Sequence, residues 1–400
     1  MALITECLKH FIKIGKLHIW EVNKNQPITL SGALNGPEVG VRFHTKTIQW
    51  RLWLTPELAL GEGYMNGEIS LVKGTIYDLL NLCTLNIKQN AFNPPGLGEY
   101  HNKFSFLFRS LYQANSLGKA RRHIAHHYEL GAEFYKLFLD SSLQYSCAYF
   151  KNEEEELETA QENKKRHIAA KLRLEPGQHV LDLGCGWGGL VLFLAQHKGV
   201  YVTGLTLSED QFEFATQRAS EMGLAHQVKF YLRDYRKEEG QYDRIVSVGM
   251  FEHVGVSYYP IFFNKIKQLL KEDGVALLHT IGRSQGPGNT NAWIKKYIFP
   301  GGYCPALSEA LSAAEKSQLY IFDVEALYHH YAFTLHHWRK RFYEAGEKVG
   351  LLYGERFCRM WEYYLASCEV AFRNLGLTVF QIQMSSSFKK AQLDRSYIYV

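Results

Sequence analysis

The sequence predicts an α/β fold in which a doubly wound parallel sheet follows a smaller N-terminal α+β domain. Three observations indicate it. Strand-like and helix-like segments alternate from residue 180 onward at the spacing of βαβ units. A glycine-rich turn follows the first of those strands, as in folds that bind a ligand at this point. The first 100 residues lack this alternation, so they are expected to form a separate domain.

Residues 1–100 are predicted to form one unit. Residues 7–14 have the pattern of a short amphipathic helix, residues 16–22 and 40–44 alternate like strands, and residues 75–86 are apolar at helical spacing. The unit carries no recognisable catalytic constellation. A structural or dimerisation module and a lipid-docking module are both compatible with it.

Residues 101–127 form the next segment, after a Pro-Pro-Gly stretch that indicates a boundary. Here aromatic and leucine side chains are mixed with lysines and arginines in a basic amphipathic pattern. Such a helix can lie on an anionic bilayer surface, or it can bury its aromatic face between domains. Residues 128–400 are then expected to form the catalytic domain.

The parallel sheet is predicted from strands and helices that alternate along this last domain. The predicted strands are residues 180–183, 200–205, 228–232, 243–249 and 275–281. The predicted helices of this stretch are residues 190–197, 209–222 and 260–270, and an earlier helix spans 157–172. Ligands of such a sheet bind at the carboxyl ends of the strands. Thr206, Asp234, Glu252 and His279 all fall at those ends.

The turn after the first strand contains Gly184, Gly186, Gly188 and Gly189. Its spacing satisfies a dinucleotide fingerprint, but such sites usually have an acidic residue at the tip of the next strand. That tip carries Thr206 instead. Asp182, two residues before the turn, creates a pattern that resembles motif I of the class I S-adenosylmethionine (AdoMet) methyltransferases. AdoMet is therefore favoured over a nicotinamide cofactor, and both are favoured over a purely structural loop.

Composition limits the function classes. The chain has 400 residues, 46% of them apolar, and a modest net charge of +5, so no nucleic-acid partner is expected. The seven cysteines lack metal-ligand or disulfide spacing, and a reduced cytoplasmic compartment is predicted. No apolar run reaches transmembrane length, so membrane contact is expected to be peripheral. Adjacent histidines at 126–127, 329–330 and 336–337 would diverge on a helix, so no metal site is predicted.

A family resemblance rests on a series of segments that appear in order. They are residues 145–149, 181–189, 204–208, 243–253, 278–282 and 293–300. Together they resemble the cyclopropane-fatty-acyl-phospholipid synthases, densely over about residues 120–385. The related mycolic acid cyclopropane synthases are shorter and lack an N-terminal domain of this size. The presence of residues 1–100 therefore favours the branch that acts on phospholipids.

The resemblance implies a reaction and an anion site. Such enzymes transfer a methylene group from AdoMet to the cis double bond of an unsaturated phospholipid acyl chain, and a bound bicarbonate removes a proton. The residues that match the bicarbonate site are Cys147, Glu252, His279, Ile281 and Tyr331. Side chains of His and Tyr, and backbone amides, can donate hydrogen bonds to an anion. A carboxylate fits only if the bicarbonate donates its own O–H to it. A nucleophilic Cys147 thiolate is disfavoured, because the reaction needs no covalent enzyme intermediate.

The resemblance also implies residues that hold AdoMet. Tyr145, Ser146, Gly184 and Gly186 match the methionine end, whereas Thr206, Leu207 and Gln211 match the ribose and Asp234 the adenine. Purely structural roles are an alternative for some of these residues. Ser146 could cap a helix, Thr206 could simply end a strand, and Asp234 could belong to a plain turn.

The last part of the catalytic domain, residues 323–377, is predicted to be helical and rich in aromatic residues. Tyr331 is placed in a helical segment, 324–343, that is expected to wall an acyl tunnel. A homodimer at the inner face of the cytoplasmic membrane is a further implication of the resemblance. The rival hypotheses are an acyl methyltransferase that makes methyl-branched or hydroxylated chains and a lipid-binding protein with an inactive domain.

Overall fold

The computed structural model describes residues 8–90 and 130–399, which form two compact units. Within the described residues, the first unit comprises 8–90, Asn291–Ile298 and Leu335–Leu377, and the second comprises the rest. Two segments that the sequence analysis assigned to the catalytic domain thus belong with the N-terminal residues. The segment 101–127 lies outside the described residues. No described helix has the length and apolar content needed to cross a membrane.

The secondary structure follows the chain as two sets of elements. The strands are β1 (Ile14–Trp20), β2 (Ile28–Ser31), β3 (Leu34–Phe43), β4 (Ile69–Lys73), β5 (His179–Leu183), β6 (Tyr201–Thr206), β7 (Val228–Leu232), β8 (Tyr242–Val248), β9 (Leu270–Arg283), β10 (Tyr320–Ala326) and β11 (Leu377–Ser385). The helices are α1 (Lys46–Leu54), α2 (Pro56–Met65), α3 (Ile76–Asn90), α4 (Gly131–Tyr135), α5 (Leu157–Leu172), α6 (Gly189–Lys198), α7 (Glu209–Glu221), α8 (Tyr259–Leu269), α9 (Ala292–Tyr297), α10 (Leu307–Lys316), α11 (His330–Glu344), α12 (Gly346–Tyr353) and α13 (Glu355–Asn374).

The first unit is built on a four-stranded sheet in the order β2-β1-β3-β4. Polar contacts of the buried Glu62 join its segments. The carboxylate of Glu62 on α2 accepts hydrogen bonds from Lys296 Nζ and Tyr297 OH of α9, each at 2.7 Å. Next to it, Gly61 packs against the Trp293 ring, and a Cβ at this glycine would lie 2.5 Å from that ring. These contacts explain why α9, which is distant in sequence, belongs to the N-terminal unit.

The second unit contains a seven-stranded sheet in the order β10-β11-β9-β8-β5-β6-β7. The pairs β5–β6, β6–β7, β5–β8 and β8–β9 are parallel. All strands predicted from residue 180 onward are present, and β9 begins at residue 270 rather than at 275. Two apolar clusters fill the core, one around Phe262 and Phe263 of α8 and the other around the leucines of α6. The doubly wound α/β architecture is confirmed.

The prediction that residues 323–377 are helical throughout was wrong at its start. Residues 320–326 form β10, which pairs antiparallel with β11, and the helix that carries Tyr331 begins only at His330. Val324 lies opposite Ile382 in this pairing. Residues 320–326 adopt an extended conformation because β11 supplies hydrogen-bond partners for their backbone groups. The helical spacing of the aromatic residues begins only after this strand.

Candidate active site

A pocket lies at the carboxyl ends of the central parallel strands. Its walls come from the turn after β5, the end of β6, the turn after β7, the loop after β8 and residues 143–146. The residues expected to hold AdoMet are all among those that line it: Tyr145, Ser146, Gly184, Gly186, Thr206, Leu207, Gln211 and Asp234. The strand order therefore brings together residues that are spread along the chain from position 145 to position 234. Their contacts with AdoMet remain a prediction.

The glycine turn has a backbone shape that other residues rarely adopt. Gly184, Gly186 and Gly188 have φ values of +97°, +54° and +81°. The amides of Gly184 and Cys185 both donate to the carbonyl of Leu205 at the end of β6, at 3.1 and 2.9 Å. This double contact fixes the turn against the neighbouring strand. Residues with a Cβ are strained at such φ values, which is the physical reason for glycine here.

Thr206 and Gln211 form a buried pair on the wall of the pocket. The Thr206 hydroxyl donates to Gln211 Oε1 at 2.8 Å and accepts from the amide of Ser208. Ser208 in turn caps α7 through the amide of Gln211. Thr206 thus has a structural role at the strand end, and it also lines the pocket. The two interpretations of this residue are compatible.

Asp234 lines the pocket, but its carboxylate already has partners. It accepts from the guanidinium of Arg236 at 2.8 and 2.7 Å and from the Arg236 amide at 2.9 Å. The carboxylate raises the pKa of the Arg236 guanidinium by this hydrogen bonding. Asp234 therefore both forms a turn and lines the pocket. Arg236 is a pocket residue that the sequence analysis did not single out.

Lys164 on α5 is a completely buried residue that the sequence analysis missed. Its side chain has no exposed surface, and its Nζ donates to Gln144 Oε1 at 2.7 Å and to Ser146 Oγ at 2.8 Å. Ser146 therefore does not act as a helix cap but accepts from this lysine. A signal existed in the sequence: Lys164 recurs at helical spacing with Leu157, Ala160 and Ile168, which are all buried.

Lys164 and Asp182 perturb each other beneath the pocket. Burial lowers the pKa of Lys164 to about 7, although the charges of Asp140 and other groups oppose this shift. Burial likewise raises the pKa of Asp182 to about 7, and the charge of Lys164 opposes the rise. Asp182 lines the pocket, and its Oδ1 has no hydrogen-bond partner among the described residues. Such perturbed groups at a pocket are typical of functional sites.

Replacing Lys164 by Met is expected to weaken AdoMet binding by about tenfold, which corresponds to the loss of one to two buried hydrogen bonds. The variant removes the donor that holds Gln144 and Ser146 at the pocket wall. Isothermal titration of AdoMet measures the effect. The control is Arg166→Met, since Arg166 also lies on α5 but is exposed and pairs with Glu162 instead. Equal losses in both variants would contradict a specific role for Lys164.

Two of the residues expected to form the anion site, Cys147 and Glu252, directly adjoin the pocket residues Ser146 and His253 in sequence. Glu252 Oε1 accepts from the amide of Ile281 at 2.6 Å. The Ile281 amide, which was expected to face an anion, is therefore occupied by Glu252 in this structure. Glu252 Oε2 is buried and has no partner among the described residues. Burial outweighs the Ile281 hydrogen bond and raises the pKa of Glu252 to about 7.

His279 lies on β9 and is almost completely buried, with 2% of its surface exposed. Its Nδ1 is 3.1 Å from Gln381 Nε2, and its Nε2 has no partner among the described residues. Burial, followed by the positive charges of Lys164 and Lys171, lowers its pKa well below the ordinary value. The ring is therefore neutral at neutral pH.

Cys147 and Tyr331 lie on two segments that are hydrogen-bonded to each other. The amide of Ala148 donates to Thr334 Oγ1 at 3.0 Å, and the amide of Phe150 donates to His330 Nδ1 at 3.0 Å. The start of α11, with Tyr331, is thereby attached to the chain beside Cys147. Both side chains are buried. Burial raises the pKa of the Cys147 thiol, which argues against a thiolate nucleophile.

Among residues 8–90 and 130–399, no group of three or more His, Cys, Asp or Glu side chains is arranged to hold a metal ion. The pair at 126–127 lies outside this part of the chain. In the other pairs, His330 accepts the Phe150 amide, and His336 lies 3.5 Å from Glu369.

Comparison with known proteins gives relatives over most of the chain. The family model described as mycolic acid cyclopropane synthetase matches residues 115–382. The chain is 35% identical over 368 residues to a cyclopropane-fatty-acyl-phospholipid synthase from Escherichia coli (strain K12), a match that covers 92% of this chain and 93% of that protein. It is 39% identical to a probable fatty acid methyltransferase from Pseudomonas putida over 65% of this chain and 68% of that protein.

A solved structure resembles the fold as well. The mycolic acid cyclopropane synthase CmaA1, complexed with SAH and CTAB, matches with a TM-score of 0.63 and 32% identity. The match covers 66% of this chain and 97% of that one.

Proposed function

This chain belongs to the mycolic acid cyclopropane synthetase family, and from that premise we propose that it is a cyclopropane-fatty-acyl-phospholipid synthase. It transfers a methylene group from AdoMet to the cis double bond of an unsaturated phospholipid acyl chain. The observation that carries the proposal is the match to the cyclopropane-fatty-acyl-phospholipid synthase of Escherichia coli along 92% of the chain. The AdoMet-dependent class is supported independently by a family structure that contains SAH.

The pocket residues suit the AdoMet that they would hold. When bound, AdoMet supplies a methyl group on a positively charged sulfur, which the double bond can attack. Gly184 and Gly186, without side chains, leave room for close approach of the ligand, and Tyr145 and Ser146 line the same pocket. The carboxyl group of Asp182 also lines the pocket, and in its ionised form it would favour a cationic ligand. The ribose and adenine would be accommodated by Thr206, Leu207, Gln211 and Asp234.

Bicarbonate fits the second group of residues by the chemistry of its hydrogen bonds. Two buried polar atoms, Glu252 Oε2 and His279 Nε2, lack partners among the described residues. Bicarbonate offers one O–H donor, suited to the carboxylate of Glu252, and several acceptor oxygens, suited to a donor on His279. The ion would supply the base that removes a proton from the transferred methyl group. Cys147, Ile281 and Tyr331 complete the proposed site, and the burial of Cys147 and Tyr331 excludes water from the charge that develops on the acyl chain.

The proposed role of Glu252 predicts a pH dependence. The carboxylate form accepts the O–H of bicarbonate more strongly than the neutral acid does, and the pKa of Glu252 is raised to about 7. Turnover at a fixed bicarbonate concentration is therefore expected to increase as the pH rises through about 7. Initial rates from pH 6 to 8, about one unit on each side of this pKa, measure the profile. In Glu252→Gln the residual activity should lack this rise, and an unchanged profile would contradict the assignment.

The raised pKa of Glu252 also makes the free energy of unfolding depend on pH. The folded protein holds a proton on Glu252 that the unfolded chain releases near the ordinary pKa of 4.5. The stabilising contribution is thus complete below about 4.5 and is lost as the pH rises through about 7. The difference in the free energy of unfolding between wild type and Glu252→Gln should follow this window.

The direct test uses purified protein, AdoMet, bicarbonate and vesicles of a monounsaturated phospholipid. Mass spectrometry should find acyl chains that gain one CH₂ group and resist hydrogenation. Binding of AdoMet without any such product would overturn the proposal. The relative named as a fatty acid methyltransferase motivates the alternative product. A methyl-branched alkene would take up hydrogen, and a hydroxylated chain would contain an added oxygen, so the assay separates the three products.

The first unit is included in the proposal as a module for lipid docking or dimerisation at the inner face of the cytoplasmic membrane. Helix α1 supports a surface role, because Trp50, Trp53 and Leu54 follow helical spacing and are 66%, 46% and 72% exposed. Exposed apolar patches of this kind are typical of interaction sites. Vesicle sedimentation and light scattering of Trp50→Ser/Trp53→Ser distinguish the alternatives: loss of vesicle binding supports docking, and loss of the dimer supports dimerisation.

A further inference from the structure

Gln381 is a fully buried polar residue that lies beside the imidazole of His279. It belongs to β11, the neighbour of β9 in the sheet, and it is 102 positions away from His279 in sequence. Its Nε2 is 3.1 Å from His279 Nδ1. Glutamine is seldom fully buried, and buried polar groups are normally hydrogen-bonded, so this contact indicates a defined role for the amide.

Because His279 is neutral, only certain hydrogen bonds between its ring and Gln381 are possible. The groups that bear on the ring are Lys164, Lys171, His167 and His330, and with burial they disfavour a charged imidazolium. A neutral imidazole has one N–H donor and one acceptor nitrogen. An amide NH₂ can only donate, so it pairs with an Nδ1 that carries a lone pair. The ring proton then lies on Nε2, the nitrogen without a partner among the described residues.

We propose that Gln381 is a positioning residue that holds His279 in the tautomer with its proton on Nε2. The tautomer matters because it makes Nε2, the nitrogen that does not face Gln381, a hydrogen-bond donor. Its importance for turnover rests on the proposed function, in which His279 donates to bicarbonate. The opposite tautomer would place two donors against each other at Nδ1 and would present a lone pair to an anion. The contact between two strands thus determines the polarity of the site.

Substitutions at Gln381 test the tautomer without reference to turnover. Gln381→Glu replaces the donor with an acceptor and is therefore expected to draw the ring proton to Nδ1 or to charge the ring. Gln381→Met removes the donor and leaves a mixture of tautomers. The matched control is Gln383→Met, because Gln383 is equally buried on the same strand and bonds the Lys171 carbonyl and Tyr397 instead.

The measurement is the ¹⁵N NMR spectrum of protein labelled in its histidine rings, with the His279 signals assigned by their loss in His279→Gln. Wild type and Gln383→Met are expected to show an acceptor-type Nδ1 and a protonated Nε2. Gln381→Glu should show a protonated Nδ1. A protonated Nδ1 in wild type, or an unchanged ring in Gln381→Glu, would overturn the proposal.

Turnover of the same variants then tests the positioning role. The kcat of Gln381→Glu should fall by about 100-fold, as when a donor to a reacting anion is lost, with little change in the KM for AdoMet. Gln383→Met should retain the wild-type kcat at a matched folded fraction. Unchanged kcat despite the altered tautomer would overturn the role in the reaction. Absence of cyclopropane product from wild type would instead contradict the proposed function and leave the NMR result standing.

Discussion

Replacing Glu252 by Gln is expected to lower the rate of methylene transfer by about 10²- to 10³-fold, the usual effect of losing one preorganised polar contact in an active site. Glutamine keeps an oxygen that can accept from the Ile281 amide, so the local backbone is retained. Its NH₂ group replaces the carboxylate oxygen Oε2 and cannot accept the O–H of bicarbonate. Glu252 does not line the AdoMet pocket, so AdoMet affinity should remain nearly unchanged.

The experiment combines product formation by mass spectrometry with isothermal titration of AdoMet. The matched control is Asp243→Asn, which neutralises a carboxylate near the start of β8, at the opposite end of this strand from Glu252. Asp243 pairs with Lys271, so its loss should affect stability rather than turnover. If Glu252→Gln lost AdoMet binding in parallel with turnover, Glu252 would belong to the cofactor pocket and the assignment would be wrong.

Replacing Gly189 by Ala is expected to weaken AdoMet binding by at least about tenfold and to lower the free energy of unfolding by about 1–3 kcal/mol, the usual range for overpacking. A Cβ at this position would lie 2.3 Å from the carbonyl oxygen of Ser142 and 2.4 Å from Gln144 Nε2. The backbone near Ser142 must shift to relieve the contact. Because residues 143–146 line the pocket, the shift should displace its wall.

Titration of AdoMet and urea unfolding measure the two effects. Gly286→Ala is the matched control, since a Cβ there would meet no atom within 4 Å and the residue is not among those with positive φ. This control should bind AdoMet like wild type. Normal AdoMet affinity in Gly189→Ala would show that the segment 143–146 adapts without cost, and the proposed role of this wall would then be contradicted.

The sequence by itself determined the five parallel strands of the sheet and the edge at which ligands bind. The glycine turn, Asp182 and the strand ends at Thr206 and Asp234 are encoded locally, through turn chemistry and alternating apolar patterns. In a parallel sheet these local signals suffice, because the carboxyl ends of the strands necessarily meet at one edge. For this reason the residues expected to hold AdoMet all line one pocket in the structure.

Only the tertiary structure decided which buried groups meet. Lys164, in the middle of helix α5, donates to Gln144 and Ser146. Gln381 contacts His279 from the adjacent strand, although the two residues are far apart in sequence. The pairing of β10 with β11 likewise overrode a helical prediction. Periodicity reports which face of an element is buried, but it carries no information about the opposing side chain. That partner depends on strand order and register, which arise from packing of the whole chain.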